Sequence, residues 1–379
     1  MKYCKSCLTT NLRPNASFNS DGVCIACEYS HIHNQTSSMS KLELLRKTIK
    51  EAKSRRKNHA LYDCIVGVSG GKDSTRQAHW VRDRLGFKPL LVCCGYPPLQ
   101  MTDIGASNLS NLISMGFDVE VFTPAPQTSS SLSLTSLIKF GNVCKSTEMA
   151  LHAIVPKIAI SKKIPLIFWG ENPSLQVGDS QVEGENCFDG NNLRKMNTLT
   201  DGGVEWIFDE TDPYKSQAYV YPNKESFEKS KVDIMYLGPA WDDWSMDNNS
   251  MYAALTGLTL RPDDVDITGD ISGSSMLDEE FTNINMMIKY FKYGFGRATD
   301  ICNERIRAGV LSRNEAIRVV DKYDGICDDS IIDSYCDYVK IDVIEFWDIV
   351  NKYVNRKLFD IQSGARPKKK FKTGIDFDD

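Results

Sequence analysis

The sequence of 379 residues lacks the features that mark several large classes of protein. No apolar run approaches the roughly 18–20 residues that a membrane-spanning helix needs, and the first residues show no apolar signal region. Positive charge is not in excess, because 45 Lys and Arg stand against 50 Asp and Glu and the net charge is −5. We therefore expect a cytoplasmic protein that has no membrane partner and does not bind nucleic acid in bulk.

A phosphate-binding loop of the Walker type is also missing, because the spacing G-x-x-x-x-G-K-[ST] does not occur. A different glycine-rich loop follows the apolar run at 64–68, and its residues are Ser69, Gly70, Gly71, Lys72, Asp73 and Ser74. The pattern predicts a strand, this loop and a helix over 74–85. Glycines let backbone N–H groups approach phosphate oxygens, the lysine adds positive charge, and the aspartate offers an oxygen ligand for Mg²⁺. We expect a phosphate site here rather than a plain glycine-rich turn.

Strand and helix patterns alternate along the part of the chain that follows. They predict strands at 89–94, 119–122, 165–169 and 234–237, and helices at 103–115 and 147–161. Such alternation is typical of an α/β fold with a doubly wound parallel sheet. Ligands of such sheets bind outside the carboxyl ends of the strands, which is where the glycine-rich loop would lie.

Two more loops are predicted at the same edge of the sheet. Gly95 and Tyr96 follow the second strand, where we expect the nucleotide base, although Tyr96 is equally suited to packing. Gly170 and Glu171 follow the fourth strand. A carboxylate in that position would lie near the nucleotide and either bind metal or orient a nucleophile. The alternative for Glu171 is an ordinary surface glutamate.

Four of the twelve cysteines form a pattern near the N-terminus. Cys4, Cys7, Cys24 and Cys27 have the spacing C-x2-C-x16-C-x2-C, which is typical of a zinc site with four thiolate ligands. Such a closed site is structural, because no coordination position is left for a substrate. Two disulfides or idle thiols are the alternative, and a reducing compartment disfavours disulfides. The pattern therefore predicts a small zinc-ribbon-like module.

Composition and periodicity divide the chain into five parts. They are the four-cysteine module at 1–30, a linker and helix at 31–59, the α/β domain at 60–275, a helical region at 276–360 and a mobile tail at 361–379. Within the α/β domain, residues 175–230 are rich in Gly, Asn, Asp and Ser and show little periodicity, which is typical of a functional loop or lid. Asn191 and Asn192 fall within that predicted lid.

Several motifs resemble those of known families. The loop at 69–74 resembles the PP-loop of the ATP pyrophosphatases, which cleave ATP between its α and β phosphates. Residues 4 to about 325 resemble the N-acetyl sugar amidotransferases of bacterial surface-polysaccharide biosynthesis. This second resemblance rests on the four cysteines, on the loop, and on the motifs at 141–150, 170–173, 189–192, 236–238, 292–300, 306–309 and 323–325.

The resemblance implies a PP-loop type of α/β sheet and a definite reaction. The acetamido oxygen of a nucleotide-linked N-acetyl sugar attacks the α phosphate of ATP, pyrophosphate leaves, and ammonia then displaces AMP to give an acetamidine. Lys72, Asp73 and Glu171 would be catalytic, ATP and Mg²⁺ would be required, and Zn²⁺ would be structural. No glutaminase motif is visible, so separate glutaminase and ammonia-channelling barrel subunits are the expected partners.

Three residues in the shared motifs have two interpretations each. Arg297 and Arg307 are candidates for sugar or diphosphate recognition, because the guanidinium fork matches phosphate oxygens, and the alternative is ordinary packing. Cys144 precedes a predicted helix whose N-terminus would favour a thiolate, but a structural role is the simpler interpretation.

Two other functions stay open on the sequence alone. A PP-loop tRNA-modifying enzyme, which thiolates tRNA or ligates lysine to it, would also combine a PP-loop with a zinc module. The acidic composition argues against it. A non-catalytic assembly factor that uses ATP only as a switch is the third possibility, and the intact loop at 69–74 argues against that one.

Overall fold

The structure is a computed structural model, and it describes residues 1–35, 38–54, 61–171, 187–196, 199, 203–209 and 212–377. Much of the predicted lid lies outside these residues, as do Asn172 and Pro173 of the loop that follows the fourth predicted strand. The strands are β1 (Cys64–Gly67), β2 (Pro89–Cys94), β3 (Asp118–Phe122), β4 (Leu166–Trp169), β5 (Asp233–Tyr236), β6 (Phe359–Asp360) and β7 (Lys368–Lys369).

The helices of the N-terminal two thirds are α1 (Ile25–Gln35), α2 (Ser38–Ser54), α3 (Lys72–His79), α4 (Asp103–Ser114), α5 (Pro126–Phe140), α6 (Lys145–Lys162), α7 (Glu205–Phe208), α8 (Pro213–Ser216), α9 (Lys224–Ser230), α10 (Met246–Leu255) and α11 (Val265–Thr268). Those of the C-terminal third are α12 (Thr282–Tyr293), α13 (Arg297–Arg307), α14 (Arg313–Tyr323), α15 (Asp329–Val339) and α16 (Val343–Asn351).

The first five strands form one parallel sheet in the order β3-β2-β1-β4-β5. Successive residues of β1 face opposite sides of this sheet. Val66 belongs to a buried cluster that includes Ala78 of α3, whereas Ile65 belongs to one that includes Met149 of α6. Helices therefore cover both faces, and the prediction of an α/β fold with a parallel sheet is confirmed. The strand order reverses between β1 and β4, which is where such sheets bind ligands.

Several helices lie where the sequence patterns predicted none, and α1 and α5 are two of the longer ones. Helix α1 begins inside the four-cysteine module and extends through residues predicted as linker. Helix α5 contains many serines, which are poor helix formers, but Pro126 occupies its first turn and Gly141 ends it in the left-handed conformation with a φ of 57°. Its buried Leu132 and Leu137 supply the packing that weak local propensity does not.

The helical region after residue 276 has a core of its own. Phe281, Met287 and Phe291 of its first part pack with Tyr335 and Phe346 of later helices. Residues 361–377, the described part of the tail 361–379 that the sequence suggested to be mobile, are folded onto this core. Strands β6 and β7 pair antiparallel, and the side chain of Phe371 in the tail is buried. The tail is packed because it contains apolar side chains such as Phe371, whereas its lysine-rich composition is typical of a mobile terminus.

The four-cysteine module is packed against the helical region. The backbone N–H of Leu8 donates to Asn303 Oδ1 of α13 at 2.7 Å, and Arg313 Nε of α14 donates to the carbonyl of Cys7 at 3.2 Å. Arg13 forms an ion pair with Asp300 of α13. The module thereby supports α13 from one side. Across the described part of the chain, every helix is too short or too polar to cross a membrane.

Candidate functional site

The glycine-rich loop connects the end of β1 to the first turn of α3. Gly70 has a φ of +90°, in the left-handed region, and a Cβ there would lie 3.1 Å from the backbone N of Leu109. Gly71 is the N-cap of α3 and offers no side chain to the first-turn N–H groups. These N–H groups have no partner within the helix either, so they are available to an anion. The loop therefore has the geometry of a phosphate site.

A cavity of about 300 Å³ opens beside this loop, at the carboxyl ends of the strands. We call one side of it the sheet wall, which comprises Ser69, Gly71, Lys72, Asp73, Ser74, Trp169 and Glu171. We call the other side the helical wall, which comprises Ser274, Ser275, Asp278 and Arg297. The three predicted catalytic residues thus line one cavity, and Tyr96 also lines it.

A chain of polar contacts fixes the acidic side chain of the loop. Lys72 Nζ lies 2.9 Å from Asp73 Oδ2, and Asn249 Nδ2 donates to Asp73 Oδ1 at 2.6 Å. The side-chain oxygen of Asn249 in turn accepts from Arg76 Nη1 at 2.6 Å. Asn249 comes from α10, far away in sequence. Asp73 is therefore held beside Lys72 as a carboxylate with oxygens that suit Mg²⁺.

Glu171 is a carboxylate of the sheet wall whose pKa is strongly affected by its surroundings. Burial, together with the nearby charge of Asp73, raises its pKa to about 7. Its Oε2 is buried and accepts no hydrogen bond from any residue within the described ranges. A carboxyl group with such a pKa exchanges protons near neutral pH, which is what a general acid or base requires. The alternative of an ordinary surface glutamate does not agree with this environment.

Asp278 contributes a third carboxylate to the cavity, and no sequence motif pointed to it. Its Oδ2 accepts a hydrogen bond from the hydroxyl of Tyr96 at 3.2 Å, and Ser69 also hydrogen-bonds to its side chain. Burial raises the pKa of Asp278. The contact ties the first residue of the glycine-rich loop to the helical wall. Only the folded chain brings residues 69, 96 and 278 together.

The other glycines that were predicted to bind the nucleotide lie near the cavity without lining it. Gly70, Gly95 and Gly170 are absent from the described residues that line it. A Cβ on Gly95 would lie 2.5 Å from Thr123 Oγ1, and one on Gly170 would lie 3.0 Å from Gln77 Oε1. These two glycines therefore allow the close approach of β3 and α3 to the strand ends.

Arg297 and Arg307 lie at opposite ends of α13, and only Arg297 lines the cavity. The start of α13 is fixed by Asp324, whose carboxylate accepts from the backbone N–H of Gly296 at 2.8 Å and of Thr299 at 3.0 Å. A Cβ on Gly296 would lie 2.9 Å from that carboxylate, so a side chain there would displace Asp324 from its position. The motifs at 292–300 and 323–325 thus combine to place one arginine at the cavity.

The surroundings of Cys144 agree with the simpler interpretation, a structural role. Its side chain is buried, and its Sγ lies 4.0 Å from Glu279 Oε1. Burial, followed by the charge of Glu279, raises the pKa of the Cys144 thiol well above its ordinary value. The thiol therefore stays protonated, and an activated thiolate is not supported.

The asparagines placed in the predicted lid lie along the outer strand of the sheet. Asn191 Oδ1 accepts from the backbone N–H of Ile234 in β5 at 3.0 Å, and the N–H of Gly190 donates to the carbonyl of Ile234 at 2.9 Å. These contacts place Asn191 against β5, and neither Asn191 nor Asn192 is among the described residues that line the cavity.

The four predicted metal ligands come together in the module. The Sγ atoms of Cys4, Cys7, Cys24 and Cys27 all lie within 4.8 Å of one another. Backbone N–H groups point at these sulfurs, with Ser6 N at 3.4 Å and Cys24 N at 3.3 Å from Cys4 Sγ. Such N–H contacts suit thiolates, and the donor set fits a structural metal such as zinc.

Comparison with known proteins concerns the C-terminal region. Residues 277–373 match the family model described as "LPS biosynthesis protein WbpG-like, C-terminal domain", where LPS is lipopolysaccharide. This part of the chain is thus similar to a domain of surface-polysaccharide biosynthesis proteins. The matched range contains Asp278 and Arg297 of the helical wall. No curated protein matches the chain.

Proposed function

We propose that the protein is an AMP-forming, ATP-dependent amidotransferase of the PP-loop type that acts in lipopolysaccharide or other surface-glycan synthesis. It converts the acetamido group of a nucleotide-linked N-acetyl sugar into an acetamidine. The observation that carries the proposal is the meeting of Lys72, Asp73 and Glu171 in one cavity, beside a glycine-rich loop with free N–H groups. The similarity of residues 277–373 to a domain of lipopolysaccharide biosynthesis proteins supports a role in surface-glycan synthesis.

In the first step, the acetamido oxygen attacks the α phosphate of ATP, and the bond to pyrophosphate breaks. The backbone N–H groups at the start of α3 and the ammonium group of Lys72 would bind the phosphates that carry the developing charge. Asp73 would hold Mg²⁺, which when bound neutralises charge on the pyrophosphate leaving group. The product of this step is an O-adenylyl imidate of the sugar.

In the second step, ammonia adds to the imidate carbon, and AMP leaves with the former acetamido oxygen. The attacking nitrogen must lose a proton, and Glu171 is the group proposed to accept it. Its raised pKa of about 7 and its unpartnered Oε2 within the described ranges support this role. A carboxylate of ordinary pKa would be a weaker base.

The ammonia is proposed to come from a separate glutaminase through a barrel-shaped partner. A cysteine-dependent glutaminase within this chain would need a reactive thiolate. Cys94 lines the cavity, but burial raises the pKa of its thiol well above the ordinary value. Burial also raises the pKa of the Cys144 thiol well above its ordinary value. Neither thiol is suited to nucleophilic attack on glutamine.

The test supplies ammonium chloride directly, so that no partner is needed. Purified protein is incubated with ATP, Mg²⁺ and one UDP- or CMP-linked N-acetyl sugar at a time. AMP and pyrophosphate are quantified, and the sugar is analysed by mass spectrometry for replacement of oxygen by NH. We expect AMP, pyrophosphate and amidine in equal amounts with one acceptor. Formation of ADP, or AMP formation that depends on tRNA instead of a sugar nucleotide, would contradict the proposal.

A further inference from the structure

The helical wall contains a cation, Arg297, that forms no ion pair with a carboxylate of the described residues. Arg297 Nη2 contacts Ser275 Oγ and lies 3.9 Å from the sulfur of Met246. Its Nε is buried and donates to no group in the described ranges. The charge of Arg297 contributes to lowering the pKa of Asp300. The Asp300 carboxylate, however, already forms ion pairs with Arg13 and Lys289. Among the described residues, the guanidinium therefore keeps an unused Nε–H donor and has no ion-pair partner of its own beside the cavity.

The position of this arginine is specified by several independent contacts. Asp324 fixes the N-terminus of α13, and Ser275 receives a hydrogen bond from the guanidinium. Ser275 is itself held through its backbone N–H, which donates to Asp270 Oδ2 at 3.0 Å. Met276, the next residue, has a φ of +53°, an uncommon conformation for a residue other than glycine. A backbone so constrained is consistent with precise placement of the helical wall.

The cavity thus offers two places for anions, one on each wall. The N–H groups and Lys72 of the sheet wall are committed to ATP in the proposed reaction. From the unpaired guanidinium we infer that Arg297, with Ser275, binds a phosphate group of the acceptor substrate. Arg297 is then a specificity-determining residue that recognises a phosphorylated acceptor such as a nucleoside diphosphate. This inference rests on the proposed function, because it assigns the second anion to the acceptor.

Calorimetry with partial ligands tests the assignment. The probes are UDP and CMP for the acceptor, and α,β-methylene-ATP with Mg²⁺ for the nucleotide. The variants are Arg297→Met, Arg297→Lys and the matched control Arg307→Met, which changes the arginine at the far end of the same helix. We expect Arg297→Met to weaken binding of UDP or CMP at least about tenfold and binding of the ATP analogue less than about threefold. Arg297→Lys should show a smaller loss, and Arg307→Met should leave both affinities unchanged.

Three results would overturn the inference. One is an equal loss for the ATP analogue, which would assign Arg297 to the ATP phosphates. Another is an equal effect of Arg297→Met and Arg307→Met, which would indicate a general structural role. The third is a wild-type protein that binds neither UDP nor CMP. Thermal unfolding of each variant shows whether it is folded.

Failure of the proposed function would look different. In that case, the wild-type protein would form no AMP with any sugar nucleotide, while Arg297→Met would still selectively weaken UDP or CMP binding. If the wild-type protein forms AMP and Arg297→Met leaves the KM for the sugar nucleotide unchanged, only the inference about Arg297 is wrong.

Discussion

The two walls of the cavity are built in different ways. The sheet wall takes most of its residues from one short stretch, 69–74, which lies between β1 and α3. The helical wall takes its residues from 274–278 and from position 297, and their placement depends on partners elsewhere in the chain. Asp324 fixes the start of α13, and the four-cysteine module supports its middle. The comparison shows one wall set by local structure and the other by tertiary contacts.

This difference corresponds to a division of labour in the proposed reaction. The sheet wall would bind ATP, whose phosphates are common to many enzymes. The helical wall would bind the acceptor, which differs from enzyme to enzyme. Residues 277–373, which match a lipopolysaccharide biosynthesis domain, supply Asp278 and Arg297 to that second wall. A change in the sheet wall should therefore impair catalysis directly, and a change in the support of the helical wall should act through stability.

The largest effect is expected for Lys72→Ala in the sheet wall. Loss of the only lysine that lines the cavity within the described ranges removes a charge from the phosphates in the transition state. We expect the rate of AMP formation to fall by about 10³-fold. Pyrophosphate release measures the rate, and circular dichroism checks the fold. Lys139→Ala is the control, because Lys139 lies near Asp209 outside the cavity. A Lys72→Ala variant that keeps more than about a tenth of the wild-type rate would contradict the catalytic role of Lys72.

Glu171→Gln should have the next largest effect, a loss of about 100-fold in AMP formation with ammonia. The wild-type rate should rise as pH increases through about 7, because Glu171 must lose its proton before it can accept another. The glutamine variant should lose this dependence. Rates are compared at a fixed concentration of un-ionised ammonia, and Glu120→Gln on β3 is the control.

Glu171→Gln also has a consequence for stability. The pKa of Glu171 in the folded chain is about 7, above the ordinary value of 4.5, so the protonated carboxyl favours folding. Its contribution is present at low pH and is lost as pH rises through about 7. Urea unfolding of the variant should therefore depend less on pH than that of the wild type.

The catalytic role has its own contradicting outcome. A wild-type rate of AMP formation that does not change with pH around 7 would argue against Glu171 as the base.

The smallest effect is expected for Asn303→Ala, which tests the support of the helical wall. Asn303 accepts from the backbone N–H of Leu8 and donates to Thr9 Oγ1 at 3.1 Å. Its removal leaves the Leu8 N–H without this partner, whereas Thr9 Oγ1 keeps its contact with Cys7 Sγ at 3.2 Å. We expect the free energy of unfolding to fall by about 1–3 kcal/mol. Urea denaturation measures it, with Asn314→Ala at an exposed position of α14 as control.

Zinc content separates this docking effect from damage to the metal site. The thiols of the module are untouched by Asn303→Ala, so the variant should retain as much zinc as the wild type. Equal stability of the two asparagine variants would mean that the module does not brace α13.

The sequence predicted the parallel sheet because the apolar runs and the helical periodicity were both clear. It also predicted the glycine-rich loop and the four-cysteine cluster, since each has its functional residues close together along the chain. It did not predict α5, whose weak propensity is compensated by buried leucines. It also failed to predict the packed tail, because burial of Phe371 depends on a surface formed by distant helices.

The sequence by itself determined the class of fold, the place of the glycine-rich loop and the four cysteines that come together as possible metal ligands. Local spacing was sufficient to predict these features, because the residues that form each of them lie close together along the chain. The tertiary structure alone decided that Asp278 faces Ser69, that Asn249 holds Asp73, and that Arg297 reaches the cavity. These pairs are far apart in sequence, and only burial of the shared core brings their side chains within reach of one another.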